Sequence, residues 1–246
     1  MRKVFIMFAI FLYSHVLFAD EDAKKLLYIG DHFFACGEYR DAMEYYAKAE
    51  TGSPEDPEVL WRIGAALNRI AMTLINKARN DTFRVANDYL TKALRMKKDI
   101  PEIHMELAWN LAHMGLLRND WSDFALARRI KEELDYTLSF DSTIADAHFL
   151  LGLWHRQVST VSILKRKPSG LGDAALPLAL RELKKSVDIE PENALYRFEL
   201  ANQYLLTGDT LNAIKTLKTV NDTPDINANK SYRTEATKLL EKIERK

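Results

Sequence analysis

Two stretches near opposite ends of the chain share one spacing of small and large residues, and that spacing permits few folds. In KKLLYIGDHFFACGEYRDAMEYYAKAETGSP, Gly30 is followed twelve residues later by Ala42, then by Tyr46, Ala49 and Pro54. In ALYRFELANQYLLTGDTLNAIKTLKTV, Ala201 takes the place of Gly30, Tyr204 of Phe33, Gly208 of Gly37, Ala213 of Ala42, Leu217 of Tyr46 and Val220 of Ala49. Leu26, Ile29 and Phe33 recur at helical spacing, and after Gly37 a second stripe runs through Tyr39, Ala42, Tyr46 and Ala49. This predicts two amphipathic helices joined by a tight turn. Small Gly30 and Ala42 lie on the facing sides, where they let two backbones approach closely. Pro54 opposes continuation of the second helix. One such hairpin cannot bury its own apolar face, so it requires stacked neighbours of the same kind.

Looser copies fill the middle. In DPEVLWRIGAALNRIA, Asp56 is a predicted N-cap and Pro57 suits the first helical turn. Leu60, Ile63, Gly64 and Leu67 match Leu26, Ile29, Gly30 and Phe33, and the partner helix supplies Ala86, Leu90 and Ala93. Gly64 to Ala86 spans 22 residues. The excess predicts longer helices, with Asn80 and Asp81 as candidates for the turn. The next copy pairs Leu107, Ala108 and Leu111 with Ile130, Leu134 and Thr137, again 22 residues from Ala108 to Ile130. The fourth pairs Leu151, Gly152 and His155 with Ala179, Leu183 and Ser186. Between them VSILKRKPSGLGDAALP is predicted to be partly non-helical because of Pro168, Gly170, Gly172 and Pro177. Lys165, Arg166 and Lys167 give that loop a positive tip. It reads either as a solvated loop or as a contact for an acidic partner or a membrane surface. A final helix, SYRTEATKLLEKIERK, sets Tyr232, Ala236, Leu239, Leu240 and Ile243 against a charged side, as a terminal cap does.

At these residues the chain resembles the tetratricopeptide repeat (TPR) family, whose unit is a helical hairpin of about 34 residues. The fold class expected is all-α, a TPR-like right-handed superhelix of about five hairpins plus a C-terminal capping helix, spanning residues 20–246. The long second and third hairpins, followed by Leu150, Leu151, Gly152, Trp154, Val158, Ser159, Leu164, Lys165 and Arg166, also resemble bacterial relatives of the regulator of microtubule dynamics family. That family name describes eukaryotic members, and a chain with an export signal is not expected to meet microtubules.

Residues 1–19 read as a secretory signal peptide. Arg2 and Lys3 precede an apolar run from Val4 to Leu12, and Leu17-Phe18-Ala19 is a candidate cleavage site before Asp20. The run is short for a membrane span, which needs about 20 apolar residues. An uncleaved anchor is the alternative. The expected location is the periplasm or cell envelope of a bacterium, or a membrane if residues 1–19 are retained. Lys+Arg and Asp+Glu both number 35, so no basic surface for nucleic acid is expected. Cys36 is the only cysteine and reads as a small buried hydrophobe.

No catalytic constellation stands out, so no enzyme activity and no cofactor or metal are expected. Ser169-Gly170-Leu171-Gly172 lacks the residues and strand context of a phosphate loop or a nucleophile elbow. His104 and His148 hold matching places in successive repeats, which a packing role explains. What a TPR array offers is a concave surface lined by the first helix of each hairpin. The residues expected there are Leu27, Trp61, Asn68, Arg69, Met105, Trp109, Phe149, Leu153 and Arg156. Leu27, Trp61 and Phe149 stand where a TPR carboxylate clamp needs polar groups, so an apolar partner such as an amphipathic helix is expected instead. The reading is an exported scaffold or adaptor for another protein or peptide. The alternatives are a carrier of a small apolar ligand or lipid in the same groove, and a membrane-anchored organelle TPR protein. Packing of these residues inside the array, or filling of the groove by the chain's own terminal segment, also stays open.

Overall fold

The computed structural model describes residues 21–118, 123–224 and 227–245. The expected signal sequence, 1–19, lies outside them. All regular structure among the described residues is helical: α1 (21–35), α2 (Tyr39–Gly52), α3 (Pro57–Thr73), α4 (Asn76–Met96), α5 (Pro101–Arg118), α6 (Phe124–Phe140), α7 (Ala145–Val158), the single turn α8 (Ile163–Arg166), α9 (Leu176–Ile189), α10 (Ala194–Leu206), α11 (Thr210–Asn221) and α12 (Asn227–Glu244). The all-α, TPR-like repeat expected from the sequence is the fold observed. The chain divides into two compact units, one closing at Asn110 and the other opening at Leu111.

In the first unit, α1 and α2 form one hairpin and α3 and α4 a second. Ala23, Leu27, Ala42, Tyr46, Ala49, Val59, Ile63 and Ala66 form one core across α1, α2 and α3. Leu60, Ala93, Ile100 and Ile103 form a second between α3, α4 and the start of α5. The close approach inferred for Gly30 is real. A Cβ there would lie 2.4 Å from Cε1 of Tyr46. At Gly64 it would lie 2.6 Å from Cγ of Leu90, and at Gly152 in the second unit 2.7 Å from Cγ of Leu183. One large side chain from the second helix therefore seats in the notch left by a small residue on the first.

The hairpin turns follow from backbone freedom. Gly37 and Gly208 have φ of 79° and 82°, a region open to glycine. Each closes its helix with the same pair of bonds: Gly37 N to Phe34 O and Glu38 N to Phe33 O, Gly208 N to Leu205 O and Asp209 N to Tyr204 O. The α3–α4 turn falls elsewhere than expected. It is Leu74-Ile75, with Asn76 at φ 53°, whereas Asn80 and Asp81 lie inside α4. Asparagine tolerates this left-handed conformation better than most side chains, so Asn76 marks the turn. The extra residues add about one helical turn to the end of α3 and two to the start of α4.

In the second unit, α6 packs on α7, α7 on α9, α9 on α10, and α10 on α11. Helix α12 covers the end. Its Ala236 is fully buried, and Tyr232, Leu239, Leu240 and Ile243 pack against Ala194, Ala201, Leu217 and Val220. Asn229 pins its start: Nδ2 donates to Glu192 O and Pro224 O, and Oδ1 accepts from Ala194 N. The matched histidines do pack the repeat. His104 Nε2 meets Lys98 O at 2.8 Å and His148 Nε2 meets Ser142 O at 2.9 Å, each tying the helix to the turn before it. Arg197 repeats the contact on Pro191 O. Cys36 is exposed rather than buried, because it sits in the α1–α2 turn beyond the packed stripe.

The notch contact is directly testable. Gly64→Ala adds helix propensity of about 1 kcal/mol but drives a methyl into a buried, branched carbon. We expect a net loss of about 1–2 kcal/mol in chemical denaturation. The further loss on adding Leu90→Ala should be smaller in this background than in wild type, because the methyl then occupies part of the vacated space.

Candidate partner-binding face

The inward positions of the first helices divide into buried and accessible side chains. In the first unit, Leu27, Asn68 and Met105 are buried, at 7%, 0% and 8% exposure, while Trp61, Arg69 and Trp109 are half-buried. In the second, Phe149 is buried, and Leu153 and Arg156 are half-buried. Leu27, Met105, Phe149 and Asn68 thus belong to the packing beneath the face. Phe149 stacks on Tyr196 at 4.7 Å.

The two half-buried tryptophan rings of the first unit's first helices, Trp61 and Trp109, are each matched with an arginine. The Arg62 guanidinium lies 4.3 Å from the Trp61 ring centre, and Arg69 lies 4.4 Å from Trp109 and 5.7 Å from Phe34. Both arginines are held by carboxylates. Arg62 Nε donates to both oxygens of Asp31 (2.8 and 3.1 Å), and Nη1 donates to Glu58 Oε2 (2.8 Å). Trp61 Nε1 donates to the same Glu58 oxygen. Arg69 makes a two-pronged pair with Glu106, at 2.9 and 3.2 Å. Asn68 also donates to the Glu106 carboxylate, and Asn110 bonds Asn68 Oδ1 and Phe83 O. In the second unit Arg156 Nη2 donates to Glu199 Oε2 at 2.6 Å.

These pairs set the local charge states. Burial pushes the Glu58 carboxyl up, but hydrogen bonds from Trp61 and Arg62 outweigh it and hold Glu58 below the usual carboxylate range. Burial opposes the charge on Arg62, yet Asp31 and Glu58 together raise its pKa. The Tyr46 hydroxyl, buried and donating to Asp31 at 2.8 Å, is pushed far up and stays protonated.

One rule underlies the pairs. The residue two positions before the small notch residue carries a charge in three repeats: Arg62, Glu106 and Glu199. Each reaches the preceding first helix, to Asp31, Arg69 and Arg156 respectively. Arg62, Glu106 and Glu199 are absent from the sequence-based set of face residues. The signal was present as opposite charges at fixed offsets from the notch, but charges on a repeat surface ordinarily read as solvated.

A family model, Regulator of microtubule dynamics protein 1-3, matches residues 21–244. The chain belongs to this family. No curated protein matches it. Among solved structures it is similar to TTC0263, a thermophilic TPR protein in Thermus thermophilus, at 16% identity and a TM-score of 0.65. That alignment covers 89% of this chain and 98% of the other. It is also similar to MamA from Desulfovibrio magneticus RS-1, at 19% identity and a TM-score of 0.51, covering 82% and 94%. These likenesses establish the TPR fold. In this member of the family, arginine–carboxylate pairs join successive first helices.

Among the described residues, no group of three or more His, Cys, Asp and Glu side chains is placed to hold a metal ion. His155 is buried, at 3% exposure, and its Nδ1 has no hydrogen-bond partner among the described residues. Burial holds its imidazole below the ordinary value. Asp173 and Glu182 favour its charge, while Lys131 and Arg181 oppose it.

Two outcomes are expected. Glu106→Ala removes the carboxylate that holds Arg69 and accepts from Asn68 in a mostly dry site. It should destabilise by about 2–3 kcal/mol, and adding Arg69→Met should recover part of that loss in a double-mutant cycle. The second concerns His155, whose folded pKa lies below its unfolded value of about 6.5. Its contribution is complete above that value and is lost as pH falls below it, because the unfolded chain takes up the proton first. His155→Phe should therefore reduce the drop in melting temperature between neutral and mildly acidic pH.

Proposed function

We propose that this protein is an exported scaffold that binds another protein through the first-helix face, with Trp61 and Trp109 as anchors. The supporting observation is the pair of half-buried tryptophans, each stacked on an arginine that carboxylates already hold in place. Rings fixed in this way lose little freedom on binding, and aromatic side chains dominate binding energy where they are desolvated. The arginines are already paired with Asp31, Glu58 and Glu106, so a free carboxylate would have to compete for them. An apolar helix face with a polar margin fits better than an acidic tail. Leu153 and Arg156 are the matching accessible positions in the second unit.

Export rests on the sequence of residues 1–19 alone. N-terminal sequencing of the protein from its own host should return Asp20 as the first residue; retention of Met1 would instead support an anchored protein. The binding face is tested by cross-linked capture from that host, comparing wild type with Trp61→Glu and Trp109→Glu. Each variant must first match wild type in helicity and melting temperature. A partner held by wild type, reduced at least tenfold by either substitution and unaffected by Leu211→Ser, is the expected result. Capture of no protein, or of the same proteins by all forms, overturns the reading.

A further inference from the structure

The segment between α7 and α9 is fixed from within and presents both apolar and basic side chains outside. Arg166, read from the sequence as part of a positive tip, is instead turned inward at 6% exposure. Its Nε donates to Val161 O at 3.0 Å and its Nη1 to Leu171 O. Leu171 and Ala174 are buried beneath it. Leu171 N donates back to Arg166 O across Gly170, which sits at φ 79°. The withdrawal follows from the backbone: a guanidinium with several donors satisfies the carbonyls that an irregular loop leaves unpaired.

With the loop closed in this way, α8 holds Ile163 and Leu164 outward at 51% and 84% exposure. Leu164 is the most exposed large apolar side chain among the described residues. Lys165 and Lys167 beside them are exposed as well. No carboxylate occurs from Ser162 to Gly172, and the next, Asp173, faces Lys131 at 3.8 Å. A second apolar pair, Leu206 and Leu211 at 54% and 79% exposure, flanks the α10–α11 turn. Gln203 Nε2 donates to Leu176 O, which places that end of α10 beside the start of α9 and hence on the same edge of the second unit.

Exposed isoleucine and leucine on a loop held by its own hydrogen bonds, with lysines alongside, match a surface that is apolar below and anionic above. We infer that the Ile163–Lys167 loop docks on an anionic phospholipid surface. Ile163 and Leu164 enter the boundary of the acyl region, and Lys165 and Lys167 meet the phosphates. The contact is reversible, since it rests on one short apolar pair and two charges. Each lysine contributes about fivefold to the partition onto an anionic surface. This contact is independent of the first-helix face and of whether residues 1–19 are retained.

The test reads the loop itself, so that a retained N-terminal segment does not confuse it. Leu164→Cys in a Cys36→Ser background of the full chain carries an environment-sensitive dye, with a Glu55→Cys label as control. Phosphatidylcholine vesicles are added with and without phosphatidylglycerol. Unchanged melting in each variant is expected, because the altered side chains are exposed. The expected result is a blue shift at position 164 only with phosphatidylglycerol, weakening as salt rises, and none at position 55. Lys165→Gln with Lys167→Gln should lower the apparent affinity about twenty-five-fold, from about fivefold per lysine. No shift with phosphatidylglycerol, or an equal shift on neutral vesicles, overturns the inference. A shift produced only by an acidic protein from the host also overturns it and makes the loop a protein contact.

Discussion

The seating of one large side chain into the notch of a small one governs the structure. Tyr46 against Gly30, Leu90 against Gly64 and Leu183 against Gly152 bring the two helices of a hairpin to a distance that a Cβ would prevent. Close packing at that point leaves apolar stripes facing away from the hairpin, and these can be buried only by the next helix along. The cores follow: Val59, Ile63 and Ala66 of α3 close over α1 and α2, and Ile103 of α5, with Ile100 just before that helix, closes over α3 and α4. The last notch carries Ala201 opposite Leu217, so the motif tolerates a methyl where the local spacing provides for it.

Polar side chains then fix how successive first helices meet. A charge two residues before the notch reaches back to an opposite charge on the preceding first helix, as in Arg62–Asp31, Glu106–Arg69 and Glu199–Arg156. Partly buried charges of this kind add little net stability compared with a well-packed apolar pair, but they penalise any register in which one partner is lost. The same arginines support the rings of Trp61 and Trp109. The device that sets repeat register therefore also presents rigid aromatic groups, which links the packing of the array to the proposed binding face.

Where the repeat is interrupted, the interruption is structured. The segment after α7 is closed by Arg166, Gly170 and Leu171 rather than left as a slack connection. Burying a charged side chain is unfavourable unless its donors are paired, and here the carbonyls of Val161 and Leu171 pair them. The visible consequence is the outward set of Ile163 and Leu164.

The sequence alone determined the repeat. The spacing from Gly30 to Ala42 and Tyr46, repeated from Ala201 to Ala213 and Leu217, dictates hairpins because helix periodicity is local and small residues at a crossing have one steric meaning. The glycine turns at Gly37 and Gly208, the capping helix and the packing role of His104 and His148 were legible for the same reason. Tertiary structure decided what neighbours compete for. Asn76 rather than Asn80 and Asp81 became the turn because packing against α3 carried α4 back by two helical turns. Of the residues expected on the inner face, Trp61, Arg69, Trp109, Leu153 and Arg156 keep access, whereas Leu27, Asn68, Met105 and Phe149 are covered. Arg166 turned inward for carbonyls that exist only once the loop has formed. Periodicity assigns a side chain to a face of its helix. Whether that face is open, and which charge meets which, depends on contacts between residues far apart in the chain, and those are set only when the helices pack.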